Sequence, residues 1–195
     1  PAAAARGYDA ATGDVILRLD ADCRPDREWV ARMLALLAAD PRAAAVSGAA
    51  TFVDGPRALR APLAVLYLGT YVALTTMALG HPPLFGSNMA MRRDAWLASS
   101  AHVHRDDPEL HDDLDLAFHL GARDGIRWST APGMGMSMRP FGTGGGLARR
   151  LVRGLRTVAV HWPGDFPPIR WARRIVVALE EAGAAARLAR RAGRA

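Results

Sequence analysis

Val15-Ile16-Leu17-Arg18-Leu19-Asp20-Ala21-Asp22 is the stretch of the 195-residue chain that decides the fold. Its first five residues are mostly aliphatic and partly β-branched, which predicts a short buried strand. Asp20 and Asp22 follow where that strand ends, and in open α/β sheets ligands bind beyond the carboxyl ends of the strands. Mg²⁺ commonly uses one or two carboxylates together with substrate phosphates. The spacing therefore predicts a metal-bridged diphosphate site, with an ordinary polar turn as the alternative.

A second acidic cluster contains Asp112, Asp113 and Asp115. Leu116 and Leu120 follow at helical spacing, which predicts that a helix begins at the cluster. Carboxylates near a helix N-terminus are favoured by the helix dipole, so capping and a solvated first turn are the alternative interpretation. Three aspartates within four residues repel one another. We expect this crowding to raise the pKa of at least one carboxyl group, which would suit it to proton abstraction.

A third segment, between the two acidic clusters, joins a turn to a short strand. Gly86-Ser87-Asn88 has the composition of a turn, and the strand runs over Met89–Arg92. Small residues in a turn allow a sugar or another backbone segment to approach closely. Considered alone, the segment is better explained as an ordinary turn.

Taken together, in this order and spacing, the three segments resemble the catalytic domain of glycosyltransferase family 2 over roughly residues 6–139. The resemblance implies the GT-A fold, an α/β architecture with a Rossmann-like mixed sheet flanked by helices. It implies a nucleotide-sugar-dependent, inverting glycosyltransferase in which Asp20 and Asp22 hold Mg²⁺ or Mn²⁺ on the donor diphosphate. Two alternatives stay open, an inactive fragment or pseudoenzyme that retains the fold and, less favoured, a basic nucleic-acid-binding protein.

The resemblance also implies roles for individual residues. Asp113 matches the second acid of the family's acidic motif and would be the general base. Asp112 and Asp115 would orient that base or bind acceptor hydroxyls. The pocket for the sugar and acceptor would be lined by Gly86, Ser87 and Asn88. Arginine suits bidentate phosphate recognition, so the diphosphate would be contacted by Arg149, Arg150 or Arg153.

The chain departs from the family pattern in two places. Only nineteen residues precede Asp20, whereas family members carry several tens, so we expect an N-terminally truncated domain that lacks its first strand or strands and the base-binding part. Processive members carry a Q-x-x-R-W motif, but residues 146–154 contain neither Gln nor Trp, which favours single addition. We expect a partial catalytic domain over residues 1–140, and a Gly-rich loop with a basic helical extension over residues 141–195.

The charge is divided unevenly along the chain. All 25 basic residues are arginines. Residues 1–138 contain 13 arginines and 16 acidic residues, whereas residues 139–195 contain 12 arginines and three acidic residues, a net charge of +9. A basic tail behind an acidic body fits an anionic membrane surface or a phosphate-bearing substrate. The basic helix at residues 147–162 has one apolar stripe, which we expect to pack on the core, with binding to an anionic membrane as the alternative. A lipid-linked acceptor would fit the membrane interpretation, whereas no nucleic-acid-binding motif is present.

Residues 61–80 contain no charged side chain and are long enough to span a bilayer. They lie between two motifs that have to share one site, so we expect a buried helix that flanks the acceptor pocket. The single Cys23 excludes an internal disulfide framework and indicates a reducing compartment. The expected location is therefore the cytoplasm, at the cytoplasmic face of the membrane.

Several histidines lie near the second acidic cluster. His102, His104, His111 and His119 show no H-E-x-x-H or comparable spacing, so we expect no transition-metal site among them. His161 is a candidate for completing the metal shell at Asp20 and Asp22, by analogy with a late histidine in some GT-A enzymes.

Overall fold

The computed structural model describes residues 1–120, 125–131, 133–141 and 146–192, with the backbone alone for residues 140, 181 and 184–192. The predicted Gly-rich loop lies largely outside these residues. The helices are α1 (Ala2–Ala10), α2 (Trp29–Ala39), α3 (Arg57–Leu79), α4 (Arg93–Ser99), α5 (Asp112–His119), α6 (Gly146–Val160) and α7 (Pro167–Ala192). The strands are β1 (Val15–Arg18), β2 (Arg24–Pro25), β3 (Ala45–Gly48), β4 (Thr51–Phe52), β5 (Met89–Arg92), β6 (Ile126–Ser129) and β7 (Met134–Met136).

The larger sheet has four strands in the order β1-β5-β3-β6. Strands β3 and β6 are parallel, and β5 runs antiparallel to both of its neighbours, β1 and β3. Three strands therefore end at the same edge of the sheet, and the antiparallel β5 begins there. This mixed α/β arrangement confirms the predicted fold class, and the strands β1 and β5 confirm the predicted strands around the first and third motifs.

The smaller sheet has the order β2-β7-β4, with β2 antiparallel and β4 parallel to β7. The loop after Asp22 enters it directly, because β2 begins at Arg24. This sheet therefore fixes the far side of the Asp20-Ala21-Asp22 turn, while β1 fixes the near side.

The core divides into two clusters on the two faces of the larger sheet, because successive strand side chains point to opposite faces. Met89 and Met91 of β5 pack in one cluster with α5 and α4 residues, while Ala90 packs in the other with Trp29 and Met33 of α2. The helix α5 contributes Leu114, Leu116, Ala117 and Phe118 to the first cluster. Burial of these side chains holds the first turn of α5, with its aspartates, against the sheet.

Helix α3 forms where the uncharged segment predicts a helix, but it is not a buried helix. Among the described residues it is the one helix long and apolar enough to cross a membrane, and only 22% of its apolar stretch is buried. Its buried side chains are Ala64, Leu68, Thr75 and Leu79. It ends at Gly80, whose φ of 77° is the left-handed conformation that glycine adopts without strain.

Helix α6 forms as predicted, but the expectation that its apolar stripe packs on the core is wrong. Leu147, Leu151 and Leu155 are 49%, 56% and 63% exposed, and the only buried residue of the helix is Thr157. Two of its arginines contact the loop before α5: Arg156 pairs with Asp107 at 3.0 Å, and Arg153 donates to the Pro108 carbonyl. The apolar stripe is therefore largely exposed, although Val158 packs against the first core cluster.

Candidate active site

The first and third motifs meet because β1 and β5 pair antiparallel. The register places Arg18 opposite Met89, so the residues that follow β1 lie beside the turn that precedes β5. As a result, the Ser87 hydroxyl donates a hydrogen bond of 2.6 Å to Oδ2 of Asp20, across 67 residues of sequence. The predicted metal residue Asp20 and the predicted substrate residue Ser87 are thereby brought together.

The turn at residues 85–88 is locked to the sheet by buried polar contacts. The Ser47 hydroxyl of β3 accepts the N–H of Phe85 at 2.8 Å and donates to the Asn88 carbonyl at 2.8 Å. The Asn88 side chain accepts the indole N–H of Trp29 at 2.8 Å and donates to the Ala49 carbonyl at 2.8 Å. Asn88 is only 2% exposed, so the structure does not bring this predicted substrate residue to the site surface. It holds the turn in place instead.

The same turn also contacts the second acidic cluster. The backbone N–H of Gly86 donates to Oδ2 of Asp113 at 2.9 Å, while the N–H of Leu114 donates to Oδ1 at 2.8 Å. Two consecutive residues, Gly86 and Ser87, therefore bridge the predicted base Asp113 to the predicted metal ligand Asp20. The three motifs form one site, as their resemblance to the family implies.

Arg18 is a site residue that the sequence analysis missed. Its guanidinium lies 2.6 Å from Oδ2 of Asp112 and 3.7 Å from Oδ1 of Asp20, and it donates to the Tyr8 hydroxyl at 2.9 Å. A Cβ atom on Gly86 would lie 2.8 Å from the guanidinium carbon, so a larger residue there would have to displace the Arg18 head group. The available signal was a single arginine inside the apolar strand that leads to Asp20.

The expectation that crowding raises a carboxyl pKa is wrong for Asp113 and Asp115. Burial would raise the pKa of Asp113, but hydrogen bonding and charge from His111, with the charge of Arg18, outweigh it and hold that pKa well below its usual range. In return, Asp113 raises the pKa of His111 against the opposing effect of burial. Neighbouring cations thus outweigh repulsion between the aspartates, and Asp113 is ionised at neutral pH.

Asp115 faces away from this turn into a group of histidines. Its side chain is 4% exposed, and its Oδ1 lies 2.7 Å from Nδ1 of His104, 3.3 Å from Nε2 of His161 and 3.5 Å from Nε2 of His119. Burial would raise the pKa of Asp115, but hydrogen bonds from His119, His161 and His104 hold it well below its usual range. The structure therefore places His161 beside Asp115, in a group separate from Asp20 and Asp22.

Asp22 lies at the open side of the site. Ligand atoms of Asp20, Asp22 and Cys23 all lie within 4.8 Å of one another, close enough to share one cation. The Asp22 carboxylate is paired with Arg139 at 3.2 Å, and the Arg139 side chain is 79% exposed. Arg139 is a second cation at the site that the sequence analysis did not assign to substrate binding.

The three arginines predicted to contact the diphosphate lie on α6. Arg150 donates to the Tyr67 hydroxyl at 3.4 Å. Its charge opposes the rise in the pKa of His111, so Arg150 lies within electrostatic reach of the second motif. Arg153 donates to the Pro108 carbonyl and lies 4.0 Å from Glu109. Arg149 is exposed. Of the three, Arg150 is the one whose charge acts on His111, the partner of the predicted base.

The family model described as glycosyl transferase family 2 matches residues 1–97, which include the Asp20-Ala21-Asp22 turn and the Gly86-Ser87-Asn88 segment. Among solved structures, a mannosyltransferase from Pyrobaculum calidifontis in complex with GDP-mannose and Mn²⁺ matches 89% of this chain, with 24% sequence identity and a TM-score of 0.51. The chain spans about half of that protein, 48% of its length. No curated protein matches the chain in sequence. Through residues 1–97 the chain belongs to glycosyl transferase family 2, and it has the GT-A fold.

Proposed function

We propose that the chain transfers a sugar from a nucleoside-diphosphate sugar to an acceptor hydroxyl, one sugar at a time and with inversion at the anomeric carbon. The observation that carries the proposal is the turn Gly86-Ser87, which contacts Asp113 through a backbone N–H and Asp20 through a hydroxyl. The carboxylate proposed to hold the donor diphosphate through a cation and the carboxylate proposed to accept a proton therefore lie on either side of one small-residue turn. This is the arrangement that transfer between a donor and an acceptor needs.

The residues after β1 fit a hard divalent cation. Asp20 and Asp22 offer carboxylate oxygens, the ligands that Mg²⁺ and Mn²⁺ prefer. The neighbouring Sγ atom of Cys23 is a ligand that softer metals would use. A bound Mg²⁺ or Mn²⁺ would offset the charge that builds on the leaving diphosphate. The mannosyltransferase that shares the fold was solved with Mn²⁺, which supports a divalent cation here.

Asp113 is the proposed proton acceptor. The acceptor oxygen forms a bond to the anomeric carbon while the bond from that carbon to the diphosphate breaks, and Asp113 takes the hydroxyl proton. Attack from the face opposite the leaving group inverts the anomeric carbon. The backbone N–H of Gly86 orients Asp113, and the pair of Arg18 with Asp112 fixes the neighbouring carboxylate. Arg139, which pairs with Asp22, and Arg150, which contacts Tyr67, are the proposed contacts of the donor phosphates.

A turnover assay tests the proposal. The full chain is incubated with a panel of nucleotide sugars, beginning with GDP-mannose because the structural relative binds it, and release of nucleoside diphosphate is followed with Mn²⁺, Mg²⁺ or EDTA. We expect turnover with one donor class and loss of turnover in EDTA and in Asp22→Asn. The control Asp14→Asn should keep its turnover. Product stereochemistry by NMR should show inversion. Turnover that survives EDTA and Asp22→Asn would contradict the metal assignment, and retention of configuration would contradict the assignment of Asp113.

We also propose that the acceptor is lipid-linked and that the chain works at the cytoplasmic face of a membrane. Helix α3 exposes Val65, Leu66 and Met77 by 73%, 64% and 64%, and it packs against α7, which exposes Leu179 by 67%. Helix α6 turns its leucine stripe outward. Apolar side chains are exposed on three helices, two of which lie in the segment of net charge +9 from Arg139 onward, and this combination favours an anionic membrane surface.

Vesicle co-sedimentation tests the membrane proposal. We expect the full chain to sediment with anionic vesicles at low salt and to be released as salt rises, because attraction of exposed charges is screened over about 8–10 Å at physiological ionic strength. Leu151→Asp with Leu155→Asp should abolish sedimentation. The control is Leu97→Asp, a change at an equally exposed leucine of α4. A chain that stays in the supernatant at low salt would favour a soluble acceptor.

A further inference from the structure

Three histidines converge on one buried carboxylate outside the residues that bridge the three motifs. His104 lies in the loop before α5, Asp115 and His119 lie one turn apart on α5, and His161 follows the last residue of α6. One ligand atom of each lies within 4.8 Å of all the others. We call these four residues the histidine cluster. Three separate segments of the chain supply it.

The spacing of the ligand atoms matches a tetrahedral metal site. Zn²⁺ binds imidazole nitrogen and carboxylate oxygen at about 2.0–2.1 Å, so two ligands of a tetrahedral ion lie about 3.3–3.4 Å apart. In the cluster, Nε2 of His161 lies 3.3 Å from Oδ1 of Asp115 and 3.4 Å from Nε2 of His119. Nε2 of His119 lies 3.5 Å from the same carboxylate oxygen. Of the three pairs that include His104, the one with Asp115 is a hydrogen bond of 2.7 Å that has to lengthen by several tenths of an ångström, and the other two lie within 4.8 Å.

The orientation of His161 presents Nε2 to the cluster. Its Nδ1 lies 2.7 Å from the Thr157 carbonyl, which can only accept, so Nδ1 keeps its hydrogen and Nε2 is the nitrogen that a metal ion would take in place of a proton. The ring is stacked on Phe118 with centroids 4.0 Å apart and planes 12° apart. A backbone carbonyl that fixes the tautomer of a histidine is the usual outer partner of a metal ligand.

Burial encloses the cluster on one side and leaves a path on the other. The side chains of Asp115 and His161 are 4% and 3% exposed, whereas that of His104 is 38% exposed. Without a cation between them, Nε2 of His119 and Nε2 of His161 face each other at 3.4 Å with a shared carboxylate behind them. A cation reached from the His104 side would satisfy all of these atoms at once.

We propose that the histidine cluster binds a transition-metal ion of the Zn²⁺ type in a closed, four-ligand structural site. Imidazole ligands suit zinc, copper, iron and nickel, whereas the carboxylate pair after β1 suits magnesium and manganese, so the two groups select different metals. Four protein ligands leave no open position, which is the pattern of structural sites. The ion joins the loop before α5 and the end of α6 to the helix that carries Asp112 and Asp113. It therefore fixes the position of the second motif.

Metal analysis with matched variants tests this proposal. The full chain carries Asp20→Asn and Asp22→Asn, which remove the two carboxylates of the possible cation site after β1. This protein is loaded with Zn²⁺ or Co²⁺ and then dialysed. We expect one equivalent of Zn²⁺ by elemental analysis and, with Co²⁺, the intense visible absorption of a tetrahedral ion. His161→Ala and His119→Ala should lose both signals. His102→Ala should keep both, because the His102 side chain is exposed and lies outside the cluster.

The melting temperature provides an independent measurement of metal binding. Zn²⁺ should raise the melting temperature of the chain and of His102→Ala, because an ion that binds only the folded state stabilises it, and it should not raise that of His104→Ala. His104 is the most exposed ligand and its replacement leaves the buried residues in place, so this variant decides the question if His161→Ala does not fold. The proposal would be overturned by less than one equivalent of bound zinc or by an octahedral cobalt spectrum. It would also be overturned if folded His104→Ala and His119→Ala bound zinc fully.

Discussion

Replacing Asp113 by asparagine perturbs the proposed proton acceptor and the hydrogen bonds that hold it. Each carboxylate oxygen accepts a backbone N–H, from Gly86 at 2.9 Å and from Leu114 at 2.8 Å. An amide has one oxygen, so in either orientation its NH₂ group faces one of these two donors. A buried donor left unpaired costs about 1–3 kcal/mol. We therefore expect Asp113→Asn to lower the free energy of unfolding by about 1–3 kcal/mol.

The same change should slow transfer much more than it weakens the fold. Loss of a positioned general base costs about 10²- to 10⁴-fold in rate. The donor contacts Asp20 and Asp22 in the proposed mechanism, so its affinity should stay close to that of the unmodified chain. Rate and donor affinity therefore separate the chemical role of Asp113 from its structural role.

Urea denaturation and nucleoside-diphosphate release measure the two effects, with Asp112→Asn as the control. The Asp112 carboxylate is paired with Arg18, and an amide oxygen can still accept from that guanidinium. We expect the control to lose less than about tenfold in rate, well below the range for a lost base. Near-normal turnover in Asp113→Asn together with lost turnover in Asp112→Asn would refute the choice of base. Unchanged stability in Asp113→Asn would refute the hydrogen-bond argument.

Two further predictions concern packing and pH. Gly86→Ala should push the Arg18 guanidinium away from Asp112 and Tyr8, because the new Cβ would lie 2.8 Å from the guanidinium carbon, and should lower the free energy of unfolding by about 0.5–1.5 kcal/mol; denaturation that shows no loss would contradict this contact. Burial and the charge of Arg170 lower the pKa of His81 to about 4, and Nε2 of His81 lies 2.9 Å from the Arg170 guanidinium. The unfolded chain therefore binds this proton first, so the free energy of unfolding should fall by about 3 kcal/mol as pH drops from 6.5 toward 4. In His81→Gln this fall should be absent, and an identical pH profile in both proteins would exclude His81 as its source.

Local sequence patterns were sufficient to predict most helices and strands near the site. The apolar run before Asp20 predicted β1, and the leucine spacing after Asp115 predicted α5, because burial of one face imposes those periods. The ordered motifs also indicated the GT-A fold. Local periodicity does not report which strands pair, so the contact of Ser87 with Asp20 became visible only with the register of β1 and β5.

The rest required the tertiary structure. An amphipathic pattern defines two faces of α6 but not which face meets the body, so the contact of Arg156 with Asp107 became visible only in the structure. Arg18 has the pattern of an ordinary strand residue until its partners are known. The histidine cluster joins His161 to His119 across 42 residues of sequence, so no short-spacing motif could reveal it. The pKa of Asp113 likewise depends on His111 and Arg18, not on its neighbouring aspartates alone.

Calorimetric titration with nucleoside diphosphate and Mn²⁺ tests most directly the claim that two carboxylate groups share one transfer site in different roles. Three proteins are compared: the unmodified chain, Asp22→Asn and Asp113→Asn. The proposed function predicts Mn²⁺-dependent binding to the unmodified chain, similar affinity in Asp113→Asn, and at least tenfold weaker binding in Asp22→Asn, about 1.4 kcal/mol or more. Equal affinity in Asp22→Asn, or binding that does not depend on Mn²⁺, would contradict it.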